Sequence, residues 1–225
     1  MPSLYKYIPE KYVDDFVSRG IVQFRSLSYF RDHEDSETRG DEFEGTRVFC
    51  PPEGLQIHNQ TQNANLTLHQ CFESTADEDN IFAFCMSRVL KAELFKDFKT
   101  EYCIEIFKPH RFQVKLKHAI LPNGAVTEKF VVFDSVHYYS FAEPPMVDWA
   151  LPERIALVKP ERYRPQAEAR AAFAVHGAFK PENVKVRLVP FGERRFPKAT
   201  AHPEFIVRLG NLSSFCRVWH SSQCA

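Results

Sequence analysis

Ile81–Met86 reads IFAFCM, an uninterrupted apolar run with charge or amide on either side. A run this short cannot span a bilayer and is half a helix at best. Rich in aromatic and branched residues, it fits a strand covered on both faces, at the centre of a sheet. A fold able to cover both faces of one strand is therefore the first requirement.

The rest of the chain supplies the cover. Ser3–Ile8 reads as a strand stopped by Pro9; Tyr12, Val13, Phe16 and Val17 then recur at helical spacing until Gly20 ends the helix. Ile21–Phe24 is a second strand, and Arg25–Arg31 a helical turn. Residues 90–98 are helical by pattern, whereas 102–107, 112–116, 130–139, 184–189 and 205–209 read as strands, with 55–68 as exposed strands or loop. Strand, helix, loop, then mostly strands indicates an α+β fold with antiparallel sheets, not a doubly wound one. No GxGxxG or P-loop motif is present. With no repeat or linker in 225 residues, the expectation is one domain, 1–225.

Charge and cysteine usage narrow the class. The formal net charge is zero, so blanket adhesion to polyanions is not expected. Acidic residues crowd 32–44, and basic ones collect after Lys180, where Arg194 and Arg195 alternate with Phe191 and Phe196. Charge plus stacking of that kind suits a single nucleic-acid strand, although a solvated surface looks the same. The six cysteines form no CxxC and no zinc-finger spacing. With no apolar leader at Met1–Tyr12, the reading is a cytoplasmic protein with reduced thiols and no membrane or metal.

Residues 159–170, KPERYRPQAEAR, carry the most chemistry. A proline-bounded loop runs into Gln166-x-Glu168, and on a strand those two side chains would share a face. A carboxylate beside an amide suits cleavage of an N-glycosidic bond. The carboxylate stabilises the oxocarbenium-like ribose and the amide orients the nucleophile. The plain alternative is an exposed strand on which Glu168 pairs with Arg170 or Arg164.

Here the chain resembles the ADP-ribosyltransferase superfamily, in which an aromatic loop precedes a [Gln/Glu]-x-Glu pair. The resemblance implies that Glu168 is the catalytic carboxylate, that Gln166 is its partner, and that Tyr163 lies in the recognition loop. It also implies a core of two packed, mainly antiparallel sheets with flanking helices. The opening strand–helix–strand is similar to that of the DNA-modifying DarT group. By that likeness Tyr5, Lys6, Tyr7, Arg25, Ser26, Tyr29 and Ser87 would line an NAD site. The loop 32–45 would close over the dinucleotide, with Arg39 on its pyrophosphate and Arg25 or Arg31 as competitors. The Gln form of the pair points away from arginine as acceptor. The implied activity is transfer of ADP-ribose from NAD to a nucleic acid or protein, by a toxin or antiphage effector with an antitoxin or immunity partner. An NAD glycohydrolase and a non-catalytic binding module are the alternatives.

Overall fold

A computed structural model describes residues 2–32, 40–190 and 201–224. Arg39 and the pairs Phe191, Arg194, Arg195 and Phe196 lie outside the described residues. The fold is mixed α+β, with antiparallel sheets and short helices.

The strands are β1 (Leu4–Ile8), β2 (Ile21–Ser26), β3 (Thr46–Phe49), β4 (Leu55–Asn59), β5 (Ala64–Leu68), β6 (Gln70–Thr75), β7 (Ile81–Ser87), β8 (Tyr102–Ile106), β9 (Val132–Ser135), β10 (His137–Tyr139), β11 (Val158–Pro160), β12 (Glu168–Ala174), β13 (Lys185–Pro190), β14 (Glu204–Arg208) and β15 (Cys216–His220). The α-helices are α1 (Val13–Val17), α2 (Leu27–Asp32), α3 (Ala92–Asp97), α4 (Pro109–Ile120) and α5 (Pro152–Ile155).

The apolar run at 81–86 is the centre of the main sheet. β12 pairs antiparallel with β7 along its whole length, from Ile81↔Ala174 to Ser87↔Glu168. The other edge of β7 is shared: β2 meets it at Phe82 and Ala83, β1 at Ser87. The sheet therefore forks, one arm continuing from β2 to β14 and the other from β1 through β8 to β15. In the fork Lys6 Nζ donates to the Cys85 carbonyl at 2.8 Å and lies 4.6 Å above the Phe84 ring.

Residues opposed in an antiparallel pair share a face. One face of the sheet is aromatic: Phe82, Phe84 and Phe173 pack with Phe16, Phe24 and Phe112. Each such ring contributes roughly 1.5–3 kcal/mol by leaving water. α4 covers this face with Phe112, Leu116 and Ile120, spaced four residues apart. The strand expected at 112–116 is thus corrected to a helix, because three buried residues one turn apart make a helical stripe and not an alternation. The opposite face carries an alanine-rich cluster with Ala83, Ala172, Ala174, Ile155 and Ala156, and a second around Tyr7, Leu94, Phe95 and Cys103.

β13–β6–β3 form a separate sheet, so the strand read at 184–189 lies outside the main one, whereas that read at 205–209 belongs to it as β14. β4 and β5 make an exposed hairpin, and β10 and β11 pair in parallel. Cys50 and Cys71 are joined by a disulfide, which corrects the expectation of six reduced thiols; Cys85, Cys103, Cys216 and Cys224 are free. The register Phe49↔Phe72 sets these two cysteines opposite each other, a relation that sequence spacing of 21 residues does not reveal. Among the described residues, no helix is long and apolar enough to cross a membrane.

Candidate active site

Glu168 opens β12 at the end of the central ladder. Its cross-strand neighbour is Ser87, whose neighbour on the far side is Tyr5. Tyr5, Ser87 and Glu168 therefore form one row across three strands, on the face opposite the phenylalanines. The sequence expectation had grouped them; the sheet register brings them together.

The expectation for Gln166 is corrected. It does not share a strand with Glu168 but ends a 3-10 helix, Glu161–Gln166. Ala167 then takes a left-handed conformation, φ 44°, which turns the chain into β12. Pro160 stands before the helix and Pro165 within it, so the segment cannot continue as a strand ladder. The two side chains nevertheless converge: Lys159 Nζ meets Glu168 Oε2 at 2.9 Å and Gln166 Oε1 at 3.3 Å. Ser87 Oγ braces the turn by donating to the Gln166 carbonyl at 2.8 Å, and Glu168 N donates to Tyr138 Oη at 2.7 Å.

Glu168 is buried, its side chain only 5% exposed. Oε1 accepts from Arg170 Nε at 2.6 Å. Of the two partners allowed by the plain reading, Arg170 is the one used, inside the protein and not on an exposed strand. The Arg170 fork grips Glu44 with both terminal nitrogens, Nη2 at 2.8 Å, while Nη1 also donates to the Ala156 carbonyl at 2.8 Å. Ala156, the residue that caps α5, packs in one cluster with Ala172 and Ala174 of β12.

Residues 40–45 lie over this network. Tyr163 Oη donates to the Gly40 carbonyl at 2.7 Å, and Asp41 N to the Phe30 carbonyl at 3.1 Å. Asp41 and Glu44 are fully buried. Asp41 Oδ1 accepts from Phe43 N at 3.1 Å, whereas Oδ2 has no hydrogen-bond partner. Glu44, Glu168, Lys159 and Arg170 thus form one buried ion network, and Asp41 is coupled to it through the charges of Glu44, Lys159 and Arg170.

The environment drives these carboxyls apart. Burial acts to raise the Glu168 carboxyl, but Arg170 and Lys159 outweigh it and hold the group well below the usual carboxylate range. Burial, reinforced by Glu44, pushes Asp41 up to about 7 against the pull of Lys159. Burial also takes the Cys85 thiol up to about 12, with Glu168 adding to it, so Cys85 is no nucleophile at neutral pH.

The other expected contacts are scattered. Lys6 sits on the aromatic face, against the expectation that it lines the site with Tyr5 and Tyr7; alternation along β1 turns it away. Tyr7 is a core residue whose hydroxyl donates to the Val89 carbonyl at 3.1 Å and accepts from Lys91 N at 2.9 Å. Arg25 pairs with Glu204 at 2.7 Å and stacks 4.7 Å over Tyr29. Its register partner Ala83 lies four residues down β7 from Ser87, roughly 13 Å away. Ser26 is buried, sharing its hydroxyl with Ser28 and accepting from Tyr29 N, an N-terminal brace for α2. Arg31 is taken up by Asp32 and Glu78.

Sequence reasoning had not placed Lys159, Glu44, Asp41 and Tyr138 in the site. Lys159 alone left a signal, a lysine between Val158 and Pro160 in an otherwise apolar strand. No family model, curated protein or solved structure matches the chain.

Proposed function

We propose that this chain transfers ADP-ribose from NAD to a macromolecular acceptor, nucleic acid in preference to protein, as a toxin or antiphage effector. The observation that carries the reading is the row Tyr5–Ser87–Glu168 beside the fork of the sheet, with the carboxylate held ionised by two buried cations.

Breaking the nicotinamide–ribose bond leaves positive charge on the ribose. A fixed anion stabilises that charge most effectively when it is shielded from water and already charged. Glu168 meets both conditions. Tyr5 offers an aromatic surface two strands away, and Gln166 an amide on the same ammonium as Glu168. NAD is substrate here. Its approach to Glu168 requires residues 40–45 to lift, since Glu44 and Tyr163 hold that segment down.

A second reading has its own observation. Glu168 already has two cationic partners and is covered, an arrangement that also serves a non-catalytic module in which the network only holds residues 40–45 in place.

Release of nicotinamide from NAD separates the two, measured with and without RNA, DNA and cell lysate, beside Glu168→Gln. Glu168-dependent release that rises with one acceptor supports transfer and identifies the acceptor class. Release that no acceptor increases identifies a glycohydrolase. No release from folded wild-type protein leaves the binding module.

A further inference from the structure

A transfer reaction creates a proton that some group must accept, and Glu168 is unsuited to the task. Two cations lock its oxygens at 2.6 and 2.9 Å and hold it ionised well below the usual range. A carboxylate so stabilised is a weak base at neutral pH. It serves as fixed charge.

We propose that Asp41 is the proton acceptor of this site, its Oδ2 taking the proton from the incoming nucleophile while Glu168 stabilises the ribose. The inference rests on the transferase reading. Three observations carry it. Asp41 Oδ2 is buried and has no hydrogen-bond partner, whereas each oxygen of Glu44 and Glu168 is already held by a cation. Asp41 rides on the same segment as Glu44, the residue that Arg170 ties to Glu168. Lys159, which holds Glu168 Oε2 at 2.9 Å, also acts on Asp41, so the two carboxyls answer to one ammonium.

The groups facing Asp41 are Glu44 from its own segment, Lys159 from β11, Arg162 and Tyr163 from the 3-10 helix, and Arg170 from β12. Burial and Glu44 keep its proton affinity near neutrality. Neighbouring carboxyls pushed to opposite ends of the scale are the general arrangement for dividing electrostatic and proton-transfer roles.

The step balances. The acceptor X–H attacks C1′ of the ribose; the X–C1′ bond forms as the C1′–N bond to nicotinamide breaks. The bonding pair leaves with the ring nitrogen, which becomes neutral. With residues 40–45 closed again over NAD, the proton from X–H passes to Asp41 Oδ2, and from there to solvent when the segment next lifts.

The experiment follows nicotinamide release from NAD between about pH 5.5 and about pH 8.5, with water as acceptor and with added sodium azide. Azide is an anionic nucleophile and has no proton to give up. Wild type, Asp41→Asn and Glu168→Gln are compared, with folding checked by thermal melting. The wild-type rate is expected to rise with pH and level off above about 7. Asp41→Asn is expected to lose roughly 10²- to 10⁴-fold with water and to lose that pH dependence. Azide restores turnover to Asp41→Asn and does nothing for Glu168→Gln.

Wild-type rate and pH profile in Asp41→Asn overturn the assignment of Asp41 and leave the transferase standing; so does a folded Asp41→Asn that azide cannot rescue. Should Asp41→Asn not fold, the wild-type profile decides alone, and a flat profile counts against Asp41. Wild-type protein that releases no nicotinamide with water, azide, RNA, DNA or cell lysate removes the transferase, and the role of Asp41 goes with it.

Discussion

Arg170 and Glu44 stand 126 residues apart in the chain, yet the guanidinium of one grips the carboxylate of the other with both side chains wholly buried. The same guanidinium holds Glu168 through Nε. One cation thus fastens the segment over the site to the first residue of β12. Replacing Arg170 by Met strips both carboxylates of their shared partner. Loss of one member of a buried ion network costs about 3–5 kcal/mol, so the urea midpoint falls markedly and residues 40–45 become open to protease. A loss below about 1 kcal/mol would show that the network contributes little. Arg170→Lys is expected to fall between, since an ammonium cannot make the fork.

Asp41 and Glu168 give stability opposite slopes with pH. The Asp41 carboxyl is raised from 3.8 to about 7. Its contribution is complete below about 3.8 and is lost as pH rises through about 7, because the unfolded chain ionises first. The Glu168 carboxyl is depressed below 4.5, so its contribution is present above about 4.5 and lost as pH falls further. Asp41→Asn removes only the first of these. Urea unfolding at about pH 4 and about pH 8 is expected to show the variant gaining on wild type as pH rises, by on the order of 1–3 kcal/mol. A constant difference across that range would mean that Asp41 does not titrate between folded and unfolded states.

How far the sequence anticipated this arrangement depends on the range of each interaction. IFAFCM announced the central strand because burial on both faces leaves a local mark, and the alternation in β8 and β14 did the same. Tyr5, Ser87 and Glu168 were expected near one another, and the register joins them. Gln166 was misplaced onto the strand because a left-handed alanine has no sequence signature; glycine or asparagine would have given one. The loop 32–45 was expected over the dinucleotide, but no role fell to Asp41 or Glu44, since their setting depends on Lys159 and Arg170 more than a hundred residues away. α4 was hidden by reading Phe112, Val114 and Leu116 as an alternation, although Ile120 completes a helical stripe.

The disulfide makes a countable prediction. Denatured without reductant, the protein should show four reactive thiols, Cys85, Cys103, Cys216 and Cys224; with reductant it should show six. Six in both conditions would mean that Cys50 and Cys71 are unpaired in the purified protein. The bridge closes a sequence separation of 21 residues, so reduction should lower stability by about 3 kcal/mol. The loss falls on the β3–β6 sheet and on Phe43 of the segment over the site, which packs with Cys71 and Cys50.

Ala167 tests whether the geometry of the site is held by strain. It sits between Gln166 and Glu168 at φ 44°, where the Cβ of an L-residue crowds its own carbonyl at a cost of roughly 1–2 kcal/mol. The turn is maintained by Ala167 N donating to the Arg164 carbonyl at 3.0 Å, by Arg88 N donating to the Ala167 carbonyl at 2.8 Å, and by Ser87 Oγ on Gln166. Glycine adopts that φ without the crowding but loses more freedom on folding. The net expectation for Ala167→Gly is a gain of about 0.5–1 kcal/mol in urea unfolding. Valine, branched at Cβ, is expected to cost more than the alanine does and to loosen the turn. If the turn sets the distance between the Gln166 amide and the Glu168 carboxylate, Ala167→Val lowers nicotinamide release more than it lowers stability at the assay temperature. A loss of activity that merely tracks the unfolded fraction would mean that the turn supports β12 and does not tune the site.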